Sequence, residues 1–183
     1  MKKHALFQVL ALLCLMPSTF LATEIGTITA GVNLQKTHKL YWENGFRADY
    51  THEKLWAERL HFGFYYVSSR FGSAINSNAL KQDSFVFSAA TLFRKNKELH
   101  PTAKLNLGYF VADYEVDIFN DLPNSSLLLS IEGGLAYDLP IPLRLDASLG
   151  LNLLTGDGTK SPGTIYPLFY KLSASWIIWG GKK

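Results

Sequence analysis

The chain has 183 residues, with 18 lysines and arginines against 15 acids, a formal charge of +3 and 14% aromatic residues. That length fits one domain after any leader is removed. No basic run or nucleic-acid motif appears, which excludes an electrostatic footprint for DNA or RNA, and one cysteine, Cys14, leaves no intramolecular disulfide.

The N-terminus reads as an export signal. Lys2 and Lys3 precede an apolar run from Ala5 to Met16 broken only by Gln8, and Pro17, Ser18 and Thr19 lead towards Ala22. The run is too short to span a bilayer as a helix, which takes about 20 residues. The expected division is residues 1–22 as signal peptide and 23–183 as the mature domain, although Phe20 is bulkier than a cleavage site prefers. Cys14 falls inside the leader behind Leu12 and Leu13, which does not fit a lipidation site. Losing Lys2 and Lys3 lowers the formal charge from +3 to +1, so the basic balance comes largely from the leader.

Apolar and polar residues then alternate with period two in eight segments, at roughly 24–36, 39–52, 57–70, 82–94, 101–115, 126–139, 142–154 and 164–179. A strand sends successive side chains to opposite faces, so each segment makes one apolar and one polar surface. In the first, Ile28, Ala30, Val32 and Leu34 oppose Thr27, Thr29, Asn33 and Gln35. The last is the clearest, with Tyr170, Leu172, Ala174 and Trp176 against Phe169, Lys171, Ser173 and Ser175. Eight such strands predict an all-β, antiparallel, up-and-down barrel with its apolar side in lipid. A soluble cup of the lipocalin kind would turn wide apolar faces inward, and they need more room than eight strands enclose.

With strand 1 running outward from the periplasm, the connections around 72–81, 116–125 and 155–163 lie outside and are long and polar. Those at 52–56, 95–100 and 140–142 lie in the periplasm and are shorter. That asymmetry is the one expected of outer-membrane barrels. The short connection at 36–39 is an exception.

The sequence resembles the small eight-stranded outer-membrane proteins of Gram-negative bacteria, the group that includes the outer-membrane-protein-A-type transmembrane domain. The resemblance is architectural and covers the whole mature chain. Its nearest approach to a motif is the final strand, Tyr170-Lys171-Leu172-Ser173-Ala174-Ser175-Trp176-Ile177-Ile178-Trp179, which looks like the signal read by the barrel-assembly machinery. The chain departs from the usual aromatic end by continuing as Gly180-Gly181-Lys182-Lys183. The resemblance implies a monomer in the outer membrane, in contact with lipid and lipopolysaccharide.

Two groups of residues are candidates for a role. The predicted interior holds Glu43, Asp49, Glu132, Asp138 and Asp146 together with Arg47, Arg59, Lys104, Arg144 and Lys171, with His61 among them. Unpaired buried charge is costly, so five acids facing five bases predict a network that fills the lumen. Trp42, Tyr66, Tyr109, Tyr137, Tyr170, Trp176 and Trp179 are expected at the membrane interfaces. His38, His52 and His100 fall at predicted strand ends or turns, too far apart for a metal centre, and no cofactor is expected.

The resulting expectation is a non-enzymatic barrel with a filled lumen and a structural, adhesive or lipopolysaccharide-contacting role. Two alternatives use the same residues. His61 with Glu43 or Asp49 and Ser69 or Ser88 would form the triad of a lipid A acyl hydrolase or transferase, although the His-x-Ser-Asn stretch of deacylases is missing. An unfilled lumen would be a narrow pore for ions or small solutes.

Overall fold

The computed structural model describes residues 26–37, 42–52, 54–56, 59–71, 80–93, 98–114, 123–155 and 167–180. The predicted signal peptide lies outside these residues, as do most of the three long connections.

Eight strands are formed: β1 (Thr27–Thr37), β2 (Trp42–Thr51), β3 (Leu60–Phe71), β4 (Leu80–Leu92), β5 (Leu99–Tyr114), β6 (Ser125–Asp138), β7 (Leu143–Asn152) and β8 (Leu168–Trp179). Each pairs antiparallel with its sequence neighbours, and β1 pairs with β8, so the sheet closes without an edge. Closure satisfies the backbone hydrogen bonds between strands, which a lipid environment demands. The Gly26–Gly180 end is called the lower end here, and the end carrying Thr37 and Leu168 the upper.

The alternation fixes the faces. Val32, Phe46, Phe64, Phe87, Leu107, Leu127, Leu149 and Leu172 point outward, each roughly half or more exposed. The inward positions carry mostly serine, threonine, asparagine, glycine and charge, with Tyr65, Val67, Leu92, Phe110, Phe169 and three alanines among them. A one-residue slip of any strand would turn its polar row into lipid, so the faces pin the register. On the outside, Phe46 stacks on Tyr66 at 5.8 Å, and Tyr66 meets Phe85 at 5.4 Å. These are direct cross-strand neighbours on β2, β3 and β4, a pairing that adds stability beyond lipid contact.

Two inward glycines make room for ring systems. A Cβ at Gly150 would run into the ring of Phe169, its neighbour on β8 and a buried apolar residue of the lumen. A Cβ at Gly63 would strike the Asp49 carboxylate and come within 3.0 Å of Tyr65.

Against the sequence expectation, β1, β2 and β3 begin three residues later and β8 four later, whereas β4 begins two residues earlier and so does β5, at Leu99. Leu99 and His100 pair with Tyr137 and Ala136 on β6, whereas pairing with β4 ends at Thr102. Pro101, which has no N–H to donate, still accepts from the amide of Phe93 at 2.9 Å. His100 therefore belongs to a strand and faces inward, not to a turn.

Candidate functional site: the lumen

The inward rows meet in three levels. Near the upper end, Glu43 on β2 is 4% exposed. It accepts from Gln35 Nε2 at 2.6 Å, from Ser69 Oγ at 2.8 Å and from Thr37 Oγ1 at 3.4 Å. Its partners are all neutral, and no cation lies within ion-pair distance among the described residues.

At mid-height a chain of polar contacts crosses the barrel. On one side Arg47 Nε donates to Asp49 Oδ2 at 2.7 Å, and Arg47 Nη2 to the Tyr65 hydroxyl at 3.3 Å. Tyr65 in turn donates to Asp49 Oδ1 at 3.2 Å. The Tyr65 ring has two cations near it, the Arg47 guanidinium 5.0 Å and the Lys171 ammonium 5.1 Å from its centre, both within cation–π range. Lys171 continues the chain by donating to Glu132 Oε1. Glu132 also accepts from Asn106 at 2.8 Å and Ser148 at 2.8 Å, and lies 3.7 Å from Lys104. Lys104 reaches over β6 to donate to Asp146 Oδ1 on β7 at 2.5 Å. The residues of this level are almost entirely buried, and in such surroundings charges persist only with partners and hydrogen bonds.

At the lower end, Arg144 grips Asp138 with two nitrogens, Nε at 2.5 Å and Nη2 at 3.1 Å. His100 Nε2 lies 2.9 Å from Asp138 Oδ2. This cluster is wetter: Asp138 is 39% exposed and Arg144 27% exposed at their side chains.

Ten of the eleven sequence-predicted lumen residues therefore face the interior. Arg59 does not. It sits in the turn before β3, exposed, with its backbone carbonyl accepting from Leu92 N at 2.9 Å. The strand begins at Leu60, and a guanidinium just beyond it stays in water instead of losing its hydration. This removes one cation from the expected balance of five and five, and Glu43 is the acid left to neutral donors.

His61 faces the lumen, and its Nε2 has no partner among the described residues. Ser69 is engaged by Glu43 and Ser88 Oγ is unpartnered, so no serine–histidine–acid relay is assembled among the described residues.

Of the seven aromatics expected at the membrane interfaces, five lie towards the two ends, whereas Tyr66 and Tyr109 lie closer to mid-strand. Trp42 opens β2 and Tyr170 lies two residues into β8, both beside Lys36, whose ammonium sits 5.5 Å over the Trp42 ring. Tyr66 and Tyr109 lie in the upper halves of β3 and β5, the Tyr66 hydroxyl donating to Asp83 at 2.8 Å. Tyr137, Trp176 and Trp179 lie in the lower part of β6 and β8, with the Tyr137 hydroxyl 3.1 Å from Glu98.

Several lumen residues carry no charge and so escape a search for charge. Tyr65, Asn106, Ser148 and Phe169 sit on the polar parity of their strands, and that parity is their only sequence signal. His100 was hidden by Pro101, which reads as the start of a strand.

No protein-family model matches the chain, and no characterised protein sequence matches it. Solved structures do. Neisserial surface protein A is 17% identical with a TM-score of 0.56, covering 82% of this chain and 94% of that one. The N-terminal β-barrel domain of Pseudomonas aeruginosa OprF is 11% identical with a TM-score of 0.60, covering 84% and 98%. A de novo designed transmembrane barrel, TMB2.3, is 16% identical with a TM-score of 0.54, covering 86% and 98%. The chain has the fold of the small eight-stranded outer-membrane barrels. A designed barrel matches about as well as natural ones, so the likeness carries architecture and no particular role.

Proposed function

We propose that the chain is a monomeric, non-enzymatic barrel of the Gram-negative outer membrane, inserted by the barrel-assembly machinery after export by residues 1–22. Its lumen is sealed, and it acts through its lipid- and lipopolysaccharide-facing surface and upper connections in adhesion or envelope stability. The observation that carries this reading is the chain Asp49–Arg47–Tyr65–Lys171–Glu132–Lys104–Asp146. With Arg144 and Asp138 it matches four cations with four carboxylates across the interior. A matched, hydrogen-bonded core is a plug in a barrel whose interior is about as wide as its own side chains. The engagement of Ser69 by Glu43, with His61 Nε2 unpartnered among the described residues, supports a non-enzymatic role.

Planar-bilayer recording of the refolded protein tests the sealed lumen, and an absence of discrete current steps is expected. Resolved steps would favour the second reading, a narrow pore lined by the same residues. Mass spectrometry of lipid A from cells with and without the protein tests the non-enzymatic claim. A changed acylation pattern overturns it.

A further inference from the structure

Below the mid-height chain the lumen encloses a cavity of about 30 Å³. That is room for one monatomic ion or about two water molecules. Its wall carries three cationic side chains from three strands, Arg47 of β2, Lys104 of β5 and Arg144 of β7, and two carboxylates, Asp49 and Asp146.

The carboxylates are the more heavily used groups. Asp49 already accepts from Tyr65, Arg47 and Thr29, and Asp146 accepts from Lys104 at 2.5 Å. The donors have capacity to spare. A guanidinium carries five N–H groups and an ammonium three. Arg47 uses Nε and Nη2, Arg144 uses Nε and Nη2, and neither Nη1 has a partner among the described residues. Thr102, 5% exposed on β5, lines the same cavity with its buried hydroxyl unpartnered. His61 Nε2 is likewise buried and unpartnered in that wall. Each cation in the wall already has a carboxylate, Asp138 on Arg144 included, so it is the rim of unused donors that favours a small occupant that only accepts hydrogen bonds.

We propose that the lower half of the lumen is a binding site for a small monovalent inorganic anion of chloride size, held by Arg47, Lys104, Arg144 and the Thr102 hydroxyl. The available volume excludes larger organic anions. The bound ion completes the hydrogen bonding of the cavity wall, so it stabilises the closed barrel by binding the folded state alone.

The test uses the protein refolded in detergent micelles. Crystals soaked in bromide should show one anomalous peak within hydrogen-bond reach of Thr102 Oγ1. In solution, the temperature at which half the population loses its folded gel mobility should be about 3 °C higher in chloride than in gluconate at equal ionic strength. Thr102→Val, which keeps the shape and removes the donor, should shrink that difference and weaken the bromide peak. A cavity holding ordered water only, or equal midpoints in chloride and gluconate for the unaltered protein, overturns the proposal.

Discussion

Lys104 Nζ and Asp146 Oδ1 lie 2.5 Å apart although 42 residues separate them and β6 runs between their strands. The contact links strands that share no backbone hydrogen bonds. Removing one partner leaves the other charge buried, which costs about 3–5 kcal/mol. Lys104→Met is therefore expected to lower the unfolding free energy by about that amount in urea titrations of the bilayer-inserted protein. Lys104→Met combined with Asp146→Asn should recover part of the loss, and strict additivity of the two changes would mean that the pair is not coupled.

The outward face makes a prediction that depends on depth. Leu107 is 57% exposed midway along β5, and Asp113 lies near the upper end of the same strand. Leu107→Arg should cost about 2–4 kcal/mol in lipid, and Asp113→Arg about 0–1 kcal/mol. Similar penalties at the two sites would place the bilayer elsewhere on the barrel.

Gly150 and Phe169 form a matched pair in the lumen. Gly150→Ala should destabilise the barrel by about 1–3 kcal/mol, because the added methyl meets the Phe169 ring in a packed interior. Shortening the ring in Gly150→Ala/Phe169→Leu should restore most of the loss, read from the same titration.

Trp56 has a positive φ of 49° and is 60% exposed in the turn between β2 and β3. The left-handed conformation costs a residue with a Cβ about 1–2 kcal/mol. Trp56→Gly is expected to raise the unfolding free energy by about 1 kcal/mol in micelles. A fall would assign the ring an anchoring contribution larger than that strain.

Parity explains what could be read beforehand. A period of two needs no partner strand to be recognised, so Arg47, Glu132 and Lys171 were assigned inward from their own segments. Which of them touch depends on stagger between strands, and one strand's pattern says nothing about that. The reach of Lys104 to Asp146 and the place of Tyr65 between Arg47 and Lys171 are properties of three or more strands at once. Strand ends were the weak point for a related reason. Arg59 fits the alternation of β3 as well as His61 does, but the ladder stops between them.

Lys171 lies on the last strand, and it is the cation that donates to Glu132 on β6. In an open sheet lacking β8, that carboxylate keeps only Asn106, Ser148 and a more distant Lys104 around it. Glu132 is thus fully partnered only when β8 arrives and seals against β1. A sheet lacking β8 leaves this carboxylate short of its nearest cation, which closure supplies. The Lys171–Glu132 contact therefore favours the closed barrel over an open sheet, adding to the β1–β8 hydrogen bonds through this one carboxylate's need for a partner.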